Sequence, residues 1–306
     1  MMTVRQRGVA LITAMMITAL ATIVAANLAW DNALDLRRTN VQLNFDQAGL
    51  VAIGAEGWVG TILKQDLIDS DTDHLGEIWA VELPGLPIDG GELVGRVVDL
   101  QGRFNINNLV DEQGAVSIRD VEQFQRLLAV LDIDPALAGY AADWLDADLE
   151  PGFPNGAEDS VYTGKIPAYR TANRRISSTA ELAAIEGMTR ESMERLLPHI
   201  AALPGRTAIN VNTATPAVLQ SLGEDIGPGD VERLLSERES GGFVDITTSF
   251  SSLVEAEQMG RLATASNYFQ LIVVVRIDTV HYMLYSVLER GPNGIVTPIL
   301  RSIGTE

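Results

Sequence analysis

The chain opens with an unbroken apolar run. Val9 to Trp30 covers 22 positions without a charged residue. At about 1.5 Å per residue, a helix of that length reaches about 33 Å, enough to cross a bilayer. From Asn32 to Leu63 the pattern becomes amphipathic. Leu34, Val41, Leu43, Phe45, Leu50, Val51, Ile53, Trp58, Ile62 and Leu63 recur at near-helical spacing, with no proline among them. Gly49, Gly54, Gly57 and Gly60 weaken this helix. It reads either as one long spine whose second half packs on a sheet, or as two helices with a bend.

The period then changes. Pro84, Pro87 and Gly90-Gly91 mark turns. After them, Glu92 to Leu100 and Gly102 to Asn107 read as strands rich in β-branched residues. The same signal returns at the far end of the chain, in Phe269 to Ile277, Val280 to Leu288 and, after the turn Gly291-Pro292-Asn293-Gly294, Ile295 to Ile303. Such short spacing suits antiparallel pairing. The fold class is therefore α+β, with one sheet split in sequence. Its first strands precede residue 108, its last follow 265, and a domain lies inserted between them.

That middle, 109–264, is helical. Ser117-Ile118-Arg119-Asp120 opens a helix with Val121, Phe124, Leu127, Leu128 and Leu131 on one face, and Pro135-Ala136-Leu137 starts another that reaches Trp144. Two later stretches resemble each other. Thr179-Ala180-Glu181-Leu182, a Gly187 turn and Glu194-Arg195-Leu196-Leu197 are echoed by Thr215, Leu219, a Gly227 turn and Glu232-Arg233-Leu234-Leu235. The second copy resembles a helix-hairpin-helix, a unit whose glycine N–H groups hold DNA phosphates in many relatives. Here Glu224, Asp225, Asp230 and Glu232 surround the hairpin, and four carboxylates oppose a phosphate unless Arg233 and Arg238 compensate. The hairpin therefore reads as a packing unit.

Composition narrows the function classes. The 306 residues carry 41 acidic and 22 basic side chains, for a net charge of -19. Such a surface repels nucleic acid and anionic lipid. With no cysteine, neither disulfides nor thiol chemistry are available. His74, His199 and His281 are too scattered in sequence to suggest a zinc site or a triad.

The chemical signal is concentrated in Asp143-Trp144-Leu145-Asp146-Ala147-Asp148-Leu149-Glu150 and Asn155-Gly156-Ala157-Glu158-Asp159. Six carboxylates fall within 17 residues, and Pro151, Gly152, Pro154 and Gly156 bend the chain between them. Oxygen-only ligands on a flexible loop suit calcium, whereas zinc wants His or Cys. The loop is not an EF-hand, since Pro151 stands where that loop needs glycine and no closing glutamate follows. A solvated acidic loop is the plain alternative. Paired carboxylates also occur in glycosidases, but aromatics are only 6% of residues and no aromatic groove is suggested.

Two resemblances bear on these readings. Arg5-Gln6-Arg7-Gly8 followed by Val9-Ala10-Leu11-Ile12 resembles the class III leader of type IV pilins and type II secretion pseudopilins. It implies cleavage by a prepilin peptidase after Gly8, and methylation of the new N-terminus at Val9. The rival reading is an ordinary signal peptide cut among Ala21, Ala25, Ala26 and Ala29. Major pilins carry glutamate at the fifth mature position, where this chain has Thr13. Asp143 to Asp148, Gly156 to Tyr162, Pro167 to Asn173, Ile209 to Ala214 and Gly102 to Leu109 together resemble the motif series of the type II secretion K pseudopilin. That resemblance implies a pilin-like spine and sheet with an inserted helical domain, and no enzymatic activity. It implies calcium on Asp146, Asp148, Glu150, Glu158 and Asp159, with Asp143, one turn earlier, capping or bracing the loop, and assembly with the I and J minor pseudopilins at the pseudopilus tip. It further implies a single-pass inner-membrane protein, its basic flank cytoplasmic and its head periplasmic. The division that follows is leader 1–8, membrane and filament helix 9–30, first part of the pilin-like head 31–108, inserted domain 109–264 and remaining strands 265–306. A membrane-anchored helix-hairpin-helix DNA receptor, an exported enzyme using the carboxylate cluster and a type IV pilus minor pilin are the competing readings.

Overall fold

The computed structural model describes residues 7–152 and 154–304. Residues 1–6, part of the expected leader, lie outside the described residues, and with them Arg5 of the expected basic flank.

The spine is one continuous helix, α1, Arg7–Asp69, rather than two. The sheet side of its upper half presents Ala48, Ala52, Ala55, Val59 and Leu63, all buried, at spacings of three and four. Small side chains there let the helix lie close on the sheet. Gly49 sits closest to the sheet: a Cβ at that position would stand 3.3 Å from the Tyr282 ring. Over its most apolar stretch nothing of the helix is buried.

Five antiparallel strands form the sheet, in the order β1-β2-β7-β8-β9. They are β1 Leu83–Ile88, β2 Gly91–Asp99, β7 Tyr268–Ile277, β8 Val280–Arg290 and β9 Val296–Ile303. The split expected from sequence is present, with β2 and β7 paired from Gly91↔Ile277 to Asp99↔Phe269. Phe269, Leu271, Val273 and Val275 alternate toward the spine and share a core with Trp79, Tyr282 and Leu284.

Two local expectations need correction. The prolines read as turns lie inside β1, an edge strand, where a missing N–H costs no ladder bond. Gly102 to Asn107 is not a strand of the sheet. Only β3, Phe104–Asn105, is extended, and it pairs in parallel with β4, Ile200–Ala201. The side chain of Asn105 accepts from the Asn107 N–H and turns the chain into a 3-10 helix.

The inserted domain leaves the sheet after Asp99 and returns before Tyr268. Its first half runs from β3 through α2 Ile118–Val130, α3 Leu137–Leu145, α4 Asp159–Tyr162 and α5 Arg190–Leu196 to β4. The second runs from β5 Ile209–Asn210 through α6 Pro216–Ser221, α7 Pro228–Arg238, α8 Ile246–Phe250 and α9 Ala256–Met259 to β6 Leu262–Ala263. Each half opens on a strand that pairs in parallel with the half's last strand. Each also uses a buried asparagine as a clamp. Asn107 bonds the N–H and C=O of Ile176, and Asn212 bonds those of Phe243. One apolar core, including Phe104, Phe124, Leu128, Tyr162, Val218 and Phe250, runs through both halves.

Candidate ion site and its setting

The acidic segment begins where α3 ends. Its anchor is Asp143, buried on the helix's last turn. The N–H groups of Gly152 and Ala157 both donate to its Oδ2 at 2.9 Å, folding the loop back over the helix. This is the bracing part expected of Asp143 from sequence. The loop is tight enough that a Cβ at Gly156 would stand 2.2 Å from the Gly152 nitrogen. Beneath it, Trp144 meets Tyr162 edge-on at 5.2 Å, and Tyr162 lies 5.4 Å from Tyr169. Tyr162 is fully buried, its hydroxyl accepts from the Glu186 N–H, and burial pushes its pKa up to about 12.

Three of the five proposed ligands come together. Oxygens of Asp146, Asp148 and Glu158 lie within 4.8 Å of one another. Asp146 and Glu158 are 4% and 2% exposed, which leaves little water to dilute their charge. Burial, then the charges of Asp148, Asp143 and Glu158, pushes the Asp146 carboxyl up to about 7. Burial likewise raises Glu158, against a hydrogen bond from Thr171. Asp146 Oδ1 and Glu158 Oε1 are buried without a hydrogen-bond partner among the described residues. Among those residues, no lysine or arginine forms an ion pair with any of the three. Buried carboxylate oxygens without donors are costly unless a proton or a cation meets them. The donor set is all oxygen, as calcium requires.

The other two proposed ligands sit elsewhere. Glu150 is exposed, and its N–H donates to Asp148 Oδ1 at 2.8 Å. Asp159 opens α4 outside the trio, its Oδ1 bonded to the Thr171 N–H and its Oδ2 3.4 Å from Arg170. Pro167 to Asn173 is a motif with no evident part in the sequence, and the structure supplies one. Thr171 reaches Glu158 at 3.0 Å and Asp159 at 3.1 Å. Asn173, at φ 45°, ties the Trp144 carbonyl to the Asp148 carbonyl.

A second acidic trio is not apparent from sequence. Asp66, Asp73 and Glu77 also bring oxygens within 4.8 Å of one another. Here a cation is built in. Arg290, 2% exposed, donates to Asp66 Oδ2 at 3.0 Å and to both oxygens of Asp73 at 2.7 and 2.5 Å.

At the hairpin, Arg238 turns inward and donates to the Ala214 carbonyl at 2.6 Å, while Arg233 pairs with Glu237 and Asp230. Arg238 is taken up by the backbone and Arg233 meets only one of the four hairpin carboxylates, Asp230, so the DNA-receptor reading is not favoured.

A membrane-length spine, lying on an antiparallel sheet that is interrupted by a helical domain, defines a pilin-like filament subunit. Known proteins narrow that class. The family model for protein K of the type II secretion system matches residues 102–205, and a second for the same protein matches 209–271. The type II secretion system protein K of Pseudomonas aeruginosa is 38% identical over 98% of this chain and 93% of its own length. That of Aeromonas hydrophila is 32% identical over 98% of both chains. A chain in the crystal structure of the GspK-GspI-GspJ complex from enterotoxigenic Escherichia coli superposes with a TM-score of 0.79, at 23% identity, covering 88% of this chain and 100% of its own length. The chain belongs to the protein K family of type II secretion, and it is a minor pseudopilin of that system.

Proposed function

We propose that this subunit caps the tip of the type II secretion pseudopilus, in complex with the I and J minor pseudopilins, and that its role is mechanical rather than enzymatic. Similarity along nearly the whole chain carries the reading, together with the structural relative, which was crystallised as part of a GspK-GspI-GspJ complex. Before assembly, Val9 to Trp30 anchors the protein in the inner membrane, with the head in the periplasm. In the filament the same surface is buried against other subunits' helices. At about 25 cal/mol per Å² of apolar area, leaving it in water would oppose extraction by tens of kcal/mol. Thr13 suits a terminal subunit. Its hydroxyl is satisfied within its own helix, donating toward Val9 O and Ala10 O at 3.0 Å, and it asks nothing of a neighbour above. The inserted domain adds bulk that blocks further stacking.

Asp146, Asp148 and Glu158 form the heart of a calcium site. Glu150 and Asp159, the remaining proposed ligands, join it only if the loop shifts. Bound calcium supplies the positive charge that the two unpartnered oxygens lack, and it ties the Pro/Gly loop in a chain without disulfides. Maturation follows the class III route, with cleavage by prepilin peptidase between Gly8 and Val9 and methylation of Val9.

Two experiments test this. The full chain is co-expressed with candidate I and J subunits and extracted in detergent; a stable three-chain complex is expected, and recovery of this chain alone contradicts the tip assignment. Gly8→Ala should leave the precursor uncut, and trimming of that variant to Val9 contradicts the leader assignment.

A further inference from the structure

Where spine, sheet and inserted domain meet, the chain buries an excess of carboxylates. Asp66 comes from the last turns of α1, and Asp73 and Glu77 from the segment after it. Asp99 ends β2, Arg290 ends β8, Asn210 and Thr213 come from the inserted domain, and Ser266 lies where that domain returns to the sheet. Asp99 Oδ2 accepts from Ser266 Oγ and Thr213 Oγ1 at 2.6 Å and from Asn210 Nδ2 at 2.9 Å. Asp73 accepts from the Ser266 N–H at 2.6 Å, and its carbonyl accepts from Asn210. Arg290 also donates to the Ser266 and Leu63 carbonyls. These links between the two domains run through Asp73, Asp99 and Arg290.

The charges facing Asp66 do not balance. Asp73 and Glu77 press on it from the following segment, and Asp99 lies beyond Asp73 from β2. His74 is turned to Glu77, 3.7 Å away, and Glu77 also accepts from the Trp79 indole. Arg290 is the cation of the group and already grips both oxygens of Asp73. A second charge 4.8 Å or less from the first is costly in such a site unless a proton sits between them.

We propose that Asp66, crowded by the Asp73 and Glu77 carboxylates, keeps its proton up to neutral pH, and that its loss at alkaline pH loosens the joint between the inserted domain and the spine. Burial, then the Asp73 and Glu77 carboxylates, lifts Asp66 to about 7, with Arg290 pulling the other way. A folded value above the unfolded one means the native state holds the proton more tightly. Stability from this group is full at acid pH and is lost as pH rises through 7. Between pH 6 and 9 the folding constant should fall about tenfold, the factor that one pH unit on the protonated side of 7 represents.

The test compares unfolding of the full chain in detergent, wild type against Asp66→Asn, at pH 6 and 9. Any titration in the acidic loop is common to both and cancels in the difference. Wild type should lose about tenfold in folding constant relative to the variant across this range, and an equal fall in the two proteins overturns the proposal. Should Asp66→Asn fail to fold, infrared difference spectra of wild type decide. A protonated-carboxyl band that is present at pH 6 and bleaches by pH 9, and that persists in Asp146→Asn, supports a proton held on Asp66. Its absence from Asp146→Asn overturns it.

Discussion

The molecule solves the same electrostatic problem in two ways. The trio at the joint, Asp66, Asp73 and Glu77, closes around a guanidinium delivered by β8, more than 200 residues away in sequence. The trio in the loop, Asp146, Asp148 and Glu158, has no such partner among the described residues and leaves two buried oxygens unbonded. Spacing of the acids does not separate them, since both trios fit within 4.8 Å. The difference is whether the fold brings a fixed cation. Where it does, the cluster is part of the architecture; where it does not, the loop is left poised for an ion from solution.

The largest effect should come from removing the built-in cation. Arg290→Gln leaves Asp66 and Asp73 buried without compensation, and breaking a buried pair in this way costs about 3–5 kcal/mol. Denaturant unfolding of the full chain in detergent measures it, and added calcium should not restore the loss. Chelation comes next. If the loop trio holds calcium, saturating ion at about a hundredfold its dissociation constant adds about 2.7 kcal/mol. The unfolding midpoint should then drop with chelator in wild type and stay put in Asp146→Ala.

A third prediction concerns pH. In chelator, Asp146 titrates near 7 in the folded chain, above its ordinary carboxylate value. Its contribution to stability is then greatest in acid and disappears as pH climbs through 7. Calcium requires the ionised form, so its affinity should rise over that same interval; titration calorimetry at pH 6 and 8 reads the change. The smallest effect belongs to the struts. Thr171→Val removes a hydroxyl donor to the carboxylates and should cost about 1.5 kcal/mol in the ion-free protein, the low end for a bond to a charged group, and less once calcium is bound.

Much of this architecture is legible in the sequence because it rests on period. The 22-residue apolar run, the alternation in Phe269 to Ile277 and the face of α2 each repeat at the spacing that their element requires. The split sheet follows from matching β-signals at the two ends. What escaped depends on context. Pro84 and Pro87 signal a turn until β1 is known to be an edge. Gly102 to Asn107 alternates like a strand, yet Asn105 uses its side chain to end one. The candidate site was half visible. Acid density marked the loop, but period cannot tell that Glu150 faces solvent, that Asp159 is held by Thr171 and Arg170, or that Asn173 props the Asp148 carbonyl. The second trio was hidden because its acids are scattered over Asp66 to Glu77 and its cation lies near the end of the chain.

The most direct measurement is elemental analysis of the complex with I and J, purified without chelator, beside the same complex carrying Asp146→Asn and Glu158→Gln. Calcium at one or more equivalents in the first, and its loss from the second, is the predicted result. An intact complex with no calcium in either would contradict an ion-tied loop.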